Sequence, residues 1–477
     1  MKPTLIPKEI REKAKYCFEC GICTASCPMA ELLPTHYNPR SLLQKVLTEP
    51  EKTLNESRLW LCAWCYKCYK RCPQGLKPPE IFQLLKTEAV KRRLFNGFKT
   101  AVSVIEENVP FPVICWYTCF HPERAEMADE KIADALEKLN IRHMQAKKKE
   151  TPTSHKEKVA IIGSGPAGLT AACELAEKGY PVTIFEALPA VGGMLRKGMP
   201  AYRLPRKTLE SEIQRLHDLD VEIRTNTTIG KDVDFDELWR DGYEAVFVAV
   251  GAHKSRTLGI EGEELSGVFD ALDFLWKANM LQKVSLGKKV GVIGGGNVAI
   301  DAARTALRKG AEEVFILYRR SREEMPANPW EVMEAEKEGV KIEFLVVPQK
   351  ILEKGRNVAG LECVKMELGE LDETGRKRPV PIEGSDFSRE LDTIIVAIGE
   401  SAEIAFLPKE VEIDRGNRIL VNPITMETSM TGVFAGGDTV TGPATVIEAI
   451  LAGKRAACSI NQYLTKIKKE EKRHRDN

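Results

Sequence analysis

The sequence has 477 residues, of which 43% are hydrophobic and 29% are charged. A chain of this length exceeds what one core supports, so about three domains are expected. Its 70 basic and 69 acidic residues leave a net charge of +1, which excludes a global field that would recruit nucleic acid or an anionic membrane. The N-terminus lacks the apolar core of a signal peptide, and no stretch approaches the roughly 18–20 apolar residues of a transmembrane helix. We therefore expect a cytoplasmic protein with no membrane insertion.

Two cysteine quartets lie near the start of the chain. Residues 17–28 read CFECGICTASCP and residues 62–73 read CAWCYKCYKRCP, so both follow the spacing C-x2-C-x2-C-x3-C-P. Clustered cysteines in a cytoplasmic protein usually bind metal or carry out redox chemistry. In this spacing the first three thiolates bind one iron–sulfur cube, and the cysteine before proline binds the neighbouring cube. Crossed ligation is therefore predicted, with Cys17, Cys20, Cys23 and Cys72 on one [4Fe–4S] cluster and Cys62, Cys65, Cys68 and Cys27 on the other.

A pair of structural zinc sites is the alternative interpretation of the quartets. Zinc sites usually pair two C-x2-C halves across about 15–20 residues, whereas each quartet here is one compact run, which favours iron and sulfur. The stretches YCFECGICTASCPM and LWLCAWCYKCYKRCPQG also resemble the ferredoxin-type iron–sulfur component of heterodisulfide reductases. That resemblance implies that residues 1–110 form a helical ferredoxin-type domain that conducts electrons.

A connecting segment follows the cysteine quartets. Residues 123–146 have a helical pattern, and the polar stretch AKKKETPTSHKEK that overlaps their end is typical of a solvated linker. We therefore assign residues 111–155 to a connecting helix and linker.

The sequence pattern changes at Lys158, where an apolar strand, a glycine-rich loop, a helix and a second apolar strand follow one another. In the fingerprint G-x-G-x-x-G the first glycine makes the turn, the second lets the backbone approach a pyrophosphate, and the third allows the helix to pack closely. An acidic residue is expected about 20 positions later to bind a ribose hydroxyl, and Glu186 fills that place. The loop residues predicted to bind a dinucleotide are Gly163, Ser164, Gly165, Pro166, Ala167 and Gly168.

The same pattern returns further along the chain, in KKVGVIGGGNVAIDAARTALRKGAEEVFILYRR. Alanine replaces the third glycine, as the fingerprint allows. The next strand ends in Arg319 and Arg320, and guanidinium groups suit a 2′-phosphate, so NADP(H) is favoured over NAD(H). A solvated basic turn balanced by the glutamates that follow is the alternative. The predicted loop residues are Gly294, Gly296, Asn297 and Val298.

Repeated βαβ units predict two doubly wound parallel sheets, each of the α/β, Rossmann-like type. The stretch ARTALRKGAEEVFILYRRSREEMPA closely resembles the small (beta) subunit family of glutamate synthases, and the resemblance extends over residues 158–465. It implies a flavoprotein in which an NAD(P)H-binding domain interrupts an FAD-binding domain. The implied boundaries are 156–260 and 391–465 for the two FAD-binding parts, 261–390 for the inserted domain and 466–477 for a charged tail.

The resemblance also implies where FAD makes further contacts. The C-terminal Asp438 would reach the phosphate–ribityl region, and the helix after Thr445 and Val446 would direct its partly positive N-terminus at the flavin pyrimidine. Arg203 matches a motif beside the flavin, although a surface salt bridge explains it almost as well. The remaining residues implied for cofactor binding or for the crossings between domains are Gly193, Met194, Gly251, Gly399 and Gly437.

One stretch departs from the family pattern. Where that family has four cysteines that help to bind clusters, this chain reads PFPVICWYTCFHPERAEM, with Cys115 and Cys119 kept and Glu123 and Met127 at the other two positions. We expect the two remaining thiols to be packing residues. Other isolated cysteines are expected to be core thiols: Cys173, Cys363 and Cys458.

The motifs together predict an electron-transfer function. Flavin exchanges electrons in pairs with nicotinamide and singly with iron–sulfur clusters, so no catalytic side chain is predicted. The first hypothesis is an NAD(P)H-linked subunit of an anaerobic redox complex, which passes electrons between NAD(P)(H), FAD, two clusters and a partner subunit or ferredoxin. The second is a flavin-based electron-bifurcating subunit. The third is a scaffold that binds zinc and nucleotide without catalysis.

Overall fold

The N-terminal region is helical. The computed structural model describes residues 7–120, 138, 155–372 and 375–475. Several of the first helices begin at proline, whose fixed φ suits the first helical turn. The helices of residues 7–120 and the π-helical turn that ends them are Lys8–Ala14, Ile22–Ala25, Pro28–Leu32, Pro39–Thr48, Pro50–Thr53, Ser57–Trp60, Lys67–Lys70, Pro78–Lys91, Asn96–Asn108, Pro112–Cys115 and Trp116–Phe120.

Aromatic side chains form the centre of this helical region. The ring centroids of Trp60 and Phe98 lie 5.2 Å apart, and those of Phe98 and Trp116 lie 5.3 Å apart. Such edge-to-face pairs add about 0.5–1.5 kcal/mol each beyond the burial of their surface. The same core includes Ile447 from the C-terminal helix. The helical region therefore packs directly on the last element of the fold.

The rest of the chain combines strands and helices. In chain order the strands are β1 (Lys158–Ile162), β2 (Val182–Phe185), β3 (Glu222–Arg224), β4 (Tyr243–Val248), β5 (Lys254–Ser255), β6 (Val268–Asp270), β7 (Lys289–Ile293), β8 (Glu313–Tyr318), β9 (Lys341–Phe344), β10 (Val346–Lys354), β11 (Asn357–Leu371), β12 (Lys377–Pro381), β13 (Phe387–Glu390), β14 (Thr393–Val396), β15 (Glu400–Ser401) and β16 (Val433–Ala435). The helices are Pro166–Ala176, Met194–Lys197, Arg206–Asp218, Phe235–Arg240, Ala271–Asn279, Asn297–Arg308, Pro329–Lys337, Asp438–Thr441 and Val446–Arg475, with a 3-10 turn at Arg322–Glu324.

Two five-stranded parallel sheets carry the glycine loops. The first has the order β16-β4-β1-β2-β3 and the second has the order β6-β14-β7-β8-β9. Both contain continuous buried strands such as β2 and β14, which is typical of sheets covered on both faces. The chain leaves the first sheet after β4 and returns to it only at β16. The predicted pair of Rossmann-like sheets is confirmed, with the second inserted into the first.

The chain crosses between the two sheets at two glycines. Gly251 and Gly399 have φ values of +69° and +114°, and each lies shortly before a strand of the antiparallel ribbon β5–β15. Because glycine has no Cβ, it adopts these positive φ values without steric cost. The expected domain boundary at residue 390 falls too early, because β14 pairs with β6 and β7, so the second sheet continues to Val396.

A third, antiparallel sheet was not predicted. Strand β11 pairs with β10, β12 and β13. Its core side chains, among them Val346, Ile351 and Leu361, pack with Leu317 of the second sheet. This sheet extends the inserted domain beyond its parallel core.

The C-terminal segment differs from the sequence-based expectation of a charged tail at 466–477. The last helix continues as far as Arg475. Lysine, glutamate and arginine, which dominate this stretch, are strong helix formers, so the charged sequence extends the helix. Most of the predicted connecting helix at 123–146 lies outside the described residues. Among those that are described, no helix combines the length and apolar character needed to cross a membrane.

A buried carboxyl group joins the helical region to the first sheet. Glu212 on helix Arg206–Asp218 accepts hydrogen bonds from the backbone N–H groups of Val113 at 3.1 Å and Ile114 at 3.3 Å. Burial raises the pKa of Glu212 to about 8, although both N–H donors lower it. The native state therefore holds a proton that the unfolded state releases near pH 4.5.

We expect Glu212→Gln to flatten the pH dependence of stability. A carboxyl group with a raised folded-state pKa stabilises the fold fully below its unfolded pKa, and this contribution is lost as pH rises through the folded value. Thermal unfolding of the wild type should lose on the order of 1–3 kcal/mol of stability from this group between pH 5 and pH 9. The matched control is Asp218→Asn, at an exposed position of the same helix. An unchanged slope in Glu212→Gln would contradict this assignment.

Candidate functional site

A large cavity of about 930 Å³ lies where the three parts of the chain meet. Gly296 of the second glycine loop lines it, as do Met194 and Thr445 from the domain of the first sheet and Ala63 and Trp64 from the helical region. This volume lies near the upper end of the range of about 300–1,000 Å³ for ligand pockets. One cavity thus joins the second glycine loop, the C-terminal part of the first sheet domain and the second cysteine loop, whereas no residue of the first glycine loop lines it.

The first glycine loop has the geometry of a pyrophosphate cradle. A Cβ on Gly163 would lie 2.5 Å from the Ala249 carbonyl oxygen, and one on Gly168 would lie 2.0 Å from the Gly163 carbonyl oxygen, so neither position admits a side chain. A Cβ on Gly165 would meet no atom within 4 Å. The helix that begins at Pro166 has no side-chain cap among the described residues. Its first N–H groups are therefore directed at the open space beside Gly165, as anion binding requires.

Glu186 lies at the end of β2, beside this loop. Its carboxylate accepts hydrogen bonds from the backbone N–H of Ser164 at 3.0 Å and from the Ser164 hydroxyl, and from the backbone N–H of Leu188 at 2.8 Å. The Ser164 hydroxyl in turn accepts a bond from the Gly192 N–H. Gly193, with a φ of +51°, approaches so closely that a Cβ there would lie 2.7 Å from the Gly165 Cα. The predicted residues of this region are therefore contiguous in space.

The C-terminal flavin motif lies on the cavity wall. Gly437 has a φ of +74° and precedes Asp438, whose carboxylate accepts a hydrogen bond from the Ala444 N–H at 3.2 Å. Burial raises the pKa of Asp438 to about 6. Thr445 directly precedes helix Val446–Arg475 and its carbonyl oxygen accepts a hydrogen bond from the Ala449 N–H. Its backbone N–H and its hydroxyl both donate to Glu448, at 3.3 and 2.7 Å. The predicted helix start after Thr445 is confirmed.

Arg203 lies in a buried ionic network between the two sheet domains. Its guanidinium donates to both carboxylate oxygens of Asp301, at 2.9 and 2.7 Å, and lies 3.5 Å from Glu331. Arg304 donates to the other oxygen of Glu331 at 2.7 Å. The ion pair is thus buried, whereas the alternative drawn from the sequence was a surface pair. The Arg203 Nε is buried without a hydrogen-bond partner among the described residues and Arg203 lines the cavity, so a polar group of a bound flavin fits beside it.

The second glycine loop repeats the geometry of the first. A Cβ on Gly294, whose φ is +140°, would lie 2.1 Å from the Ala397 carbonyl oxygen, whereas one on Gly296 would meet no atom within 4 Å. The helix that begins at Asn297 has no side-chain cap in the described part of the chain. Asn297 and Val298 both line the cavity. A second pyrophosphate fits here for the same physical reason.

The two arginines after β8 have different environments. Arg320 is buried, and its guanidinium donates to Asp372 at 2.6 Å and to the Lys377 carbonyl oxygen at 2.9 Å. Arg319 is exposed, and burial of part of its side chain together with the charges of Arg320 and Arg376 lowers its pKa. All three arginines line the cavity. Arg376 was not predicted from the sequence, because the unpredicted hairpin β11–β12 carries it to this position from far along the chain.

The two cysteine loops have the same backbone conformation. Left-handed φ values occur at Glu19 and Gly21 in the first loop, and at the equivalent Trp64 and Tyr66 in the second. Non-glycine residues keep this conformation only where contacts with the surrounding structure hold them in it, at a cost of about 1–3 kcal/mol each. Both loops therefore curl in the same way, as expected if each surrounds the same kind of cluster.

Two observations bear on the predicted crossed ligation. Burial, followed by the charges of Cys65 and Cys62, raises the pKa of Cys27 to about 12, so Cys27 lies beside the second loop. Cys72 lines one small cavity with Cys17, Cys20 and Cys23 of the first loop, and Cys68 of the second loop lines it as well. The described residues contain no group of three or more His, Cys, Asp or Glu that could hold a single metal ion.

Two buried polar side chains beside the second loop were not anticipated from the sequence. Tyr37 is buried beside Cys62; burial, followed by the charges of Cys62 and Cys27, raises its pKa. Lys86 is only 3% exposed, and its ammonium group donates to the Cys62 carbonyl oxygen at 3.3 Å. Neither residue belongs to a motif, so only the packing of helices Pro39–Thr48 and Pro78–Lys91 reveals them.

The remaining cysteines do not form a further cluster in the described residues. Cys115 and Cys119 are buried in the helical core, as expected, and their hydrogen bond to each other is the main cause of the raised pKa of Cys115. Cys173 and Cys363 are buried, but Cys458 is exposed. The prediction that Cys458 is a core thiol was wrong, because its position falls on the outer face of the long C-terminal helix.

The second cysteine loop is linked to the flavin motif by an ion pair. Lys67, between Cys65 and Cys68, pairs with Glu448 of the C-terminal helix. Glu448 is the same carboxylate that accepts hydrogen bonds from the backbone N–H and the hydroxyl of Thr445. The loop and the helix N-terminus therefore share one charged contact.

Two family models match the chain. Residues 157–453 match the pyridine nucleotide-disulphide oxidoreductase model, and residues 13–76 match a 4Fe-4S dicluster domain. The chain belongs to the pyridine nucleotide-disulphide oxidoreductase family. Its N-terminal region is an iron–sulfur domain of the dicluster type, as the cysteine spacing predicted.

Relatives and structures agree with this assignment. The chain is 42% identical over 431 residues to the NADP(+)-dependent formate dehydrogenase subunit beta of Moorella thermoacetica, covering 83% of this chain but 60% of that protein. It is 38% identical over 326 residues to the glutamate synthase [NADPH] small chain of Escherichia coli K12, covering 65% of this chain and 69% of that one. FprA of Mycobacterium tuberculosis in complex with NADPH shares the fold, with a TM-score of 0.57 and 21% identity over 66% of this chain and 86% of FprA. The resemblance to glutamate synthase small subunits is confirmed.

Proposed function

We propose that this chain is an NAD(P)H-linked electron-transfer subunit of an anaerobic redox complex. It passes electrons between NAD(P)(H), FAD, two [4Fe–4S] clusters and a partner subunit or ferredoxin. FAD, when bound, exchanges paired electrons with nicotinamide and single electrons with clusters, which side chains cannot do. One observation carries the proposal: Ala63 and Trp64 of the second cysteine loop line the same cavity as the second glycine loop and Thr445.

In this proposal the chain's own residues bind and orient the groups that react. The uncapped helix N-termini beside Gly165 and Gly296 hold the two pyrophosphates. Asp438 and Arg203 supply polar contacts on the cavity wall. The cysteines hold the clusters by crossed ligation, and no side chain is assigned an acid–base role.

The two loops have different places in the electron path. The cluster of Cys62, Cys65, Cys68 and Cys27, here called the near cluster, is bound by the loop on the cavity wall. The cluster of Cys17, Cys20, Cys23 and Cys72, here called the far cluster, is bound by a loop in which Cys20 is exposed. We therefore infer the order nicotinamide, flavin, near cluster, far cluster and external partner.

A steady-state assay tests the proposed function. Anoxic protein loaded with FAD and clusters should reduce a one-electron carrier such as ferredoxin with NADPH as the only other substrate. The names of the formate dehydrogenase and glutamate synthase relatives support NADP(H) as the nucleotide. Failure to reduce any one-electron acceptor would refute the proposal, whereas activity that strictly requires two different acceptors at once would replace it with electron bifurcation.

We expect Arg319→Ala to weaken the binding of NADPH much more than the binding of NADH. Arg319 follows β8 beside the second glycine loop and lines the cavity. Its side chain makes no hydrogen bond or ion pair with any described residue, so it is available for a 2′-phosphate. A hydrogen bond to a charged group contributes about 1.5–3 kcal/mol, so the KM for NADPH should rise about 10- to 100-fold. The control Arg322→Ala removes a nearby exposed arginine that pairs with Glu336. An equal rise in KM for both nucleotides would show that Arg319 does not contact the 2′-phosphate.

We expect Tyr37→Phe to lower the midpoint potential of the near cluster. Hydrogen bonds to cluster sulfurs stabilise the reduced, more negative state, and this variant removes the hydroxyl group that lies beside Cys62. A tenfold change in the reduction equilibrium corresponds to about 59 mV for one electron, which sets the scale expected in a redox titration followed by electron paramagnetic resonance. Tyr69→Phe is the control, because the Tyr69 hydroxyl has no hydrogen-bond partner among the described residues. Equal potentials in Tyr37→Phe and wild type would contradict the prediction.

A further inference from the structure

The loop of the far cluster exposes large apolar side chains. Tyr16 is 67% exposed, Phe18 is 68% exposed and Ile22 is 40% exposed, and Cys20 between them is exposed as well. In the second loop, by contrast, Trp64 and Tyr66 are buried. Scattered apolar residues on a surface need no explanation, but a group of them around a metal-binding loop marks a binding site.

Unbalanced positive charge lies beside this apolar group. Helix Lys67–Lys70 packs against helix Ile22–Ala25, which brings Lys70 and Arg71 to the first loop. Both are exposed, and neither forms an ion pair with any described residue. Arg40 reaches the same loop, where its guanidinium donates to the Glu19 carbonyl oxygen at 3.3 Å.

Several other charges of the region form ion pairs, whereas Glu19 of the loop is exposed and pairs with no described residue, so it offsets one of the three cations Arg40, Lys70 and Arg71. Lys15 pairs with Glu12 and Lys77 pairs with Glu80, while Lys67 is held by Glu448 at the flavin side. The net effect is a positive rim beside an apolar centre, although the whole chain carries a net charge of only +1. Positive rims of this kind steer negatively charged partners and raise association rates.

We propose that Tyr16, Phe18, Ile22, Lys70 and Arg71 form a docking surface for an acidic one-electron carrier protein. This exit surface binds a partner whose own redox centre is surrounded by aspartate and glutamate. Aromatic residues at its centre serve as anchors, and the cations at its rim set the encounter rate. One electron passes from the reduced far cluster to the oxidised carrier, with no atom or proton transferred. The inference rests on the proposed function, since it assumes that electrons reach the far cluster.

The test compares charge and apolar variants with an acidic 2[4Fe–4S] ferredoxin as the probe. The double variant Lys70→Glu/Arg71→Glu should lower kcat/KM for ferredoxin about 10- to 100-fold at low ionic strength and reduce its salt dependence. Phe18→Ala should lower kcat/KM about tenfold while the salt dependence is unchanged. The matched control Lys309→Glu/Lys354→Glu makes the same change of net charge at exposed positions of the inserted domain and should stay within about twofold of wild type.

Two further readouts separate docking from folding and from the proposed function. Iron content and cluster reduction by NADPH without acceptor should match wild type in all variants, as should the reduction of a small neutral quinone. If Lys70→Glu/Arg71→Glu loses its clusters, Lys70→Gln/Arg71→Gln replaces it, because that variant removes the two positive charges without adding negative ones. If kcat/KM for ferredoxin equals the wild-type value in both Lys70→Glu/Arg71→Glu and Lys70→Gln/Arg71→Gln, the proposed docking surface is wrong. The proposed function is not affected by that result. A wild-type protein whose clusters NADPH does not reduce would instead refute the proposed function.

The oligomeric state gives one more decisive outcome. If Phe18→Ala converts a dimer into a monomer in size-exclusion chromatography with light scattering, a second copy of the chain covers the surface and the proposal is wrong. An unchanged mass together with slower ferredoxin reduction supports the acidic carrier.

Discussion

Cys68→Ala is expected to abolish electron transfer to ferredoxin while NADPH still bleaches the flavin. Cys68 is buried in the second loop, where Cys62, Cys65 and Cys27 are its nearest charged neighbours. Loss of groups that merely support a metal ligand already costs about 10- to 100-fold, so loss of a ligand should lower the rate by at least about 100-fold. Flavin bleaching should persist, because Cys68 does not line the large cavity.

The measurement combines stopped-flow absorption with iron analysis under anoxia. Cys363→Ala is the matched control, since Cys363 is also a buried free thiol but lies in the inserted domain. Ferredoxin reduction at the wild-type rate by a Cys68→Ala protein that has lost iron would contradict the path through the near cluster.

Arg203→Met is expected to be the most destabilising single change at the interface of the sheet domains. It would leave Asp301 buried without the guanidinium that bonds both of its oxygens. Removing one partner of a buried ion pair costs about 3–5 kcal/mol, which should lower Tm by on the order of 10 °C. The measurement is thermal unfolding at saturating FAD, so that any loss of flavin affinity does not enter the comparison.

A surface pair provides the control for Arg203→Met. Lys288 pairs with Glu312 at 2.7 Å, with both side chains largely exposed, so Lys288→Met should cost at most about 1 kcal/mol. Equal Tm values for the two variants would show that the Arg203 network does not hold the domains together.

Local patterns predicted the parts of the fold that depend on neighbours in sequence. The two glycine loops were recognised because the turn, the close backbone approach and the helix start fall within a few residues. The structure has open space at Gly165 and Gly296, where a pyrophosphate is expected, and close backbone contacts at Gly163, Gly168 and Gly294. The cysteine spacing likewise predicted that the cysteine before proline serves the other loop. Cys27 lies beside Cys65 and Cys62, while the full crossed ligand set stays a prediction.

Contacts between distant parts of the chain could not be predicted in this way. Gly355 and Gly375, both with positive φ, lie at the turns of the antiparallel sheet, but the flanking segments were not assigned to strands, so the hairpin that carries Arg376 to the nucleotide cavity was missed. Tyr37 and Lys86 reach Cys62 only through helix packing, which no periodicity reveals. The hydrogen bond from Arg320 to Asp372 also depends on tertiary structure. Local sequence therefore could not show that Arg319, and not Arg320, is available as a phosphate ligand.

The most direct test of the account is an NADPH titration of anoxic protein followed by absorption and electron paramagnetic resonance, with metal and flavin analysis of the same sample. The account predicts one FAD and about eight irons per chain, flavin bleaching at the first additions, and signals of reduced [4Fe–4S] clusters as the titration proceeds. Stoichiometric zinc in place of iron, or a bleached flavin beside clusters that stay oxidised, would contradict it.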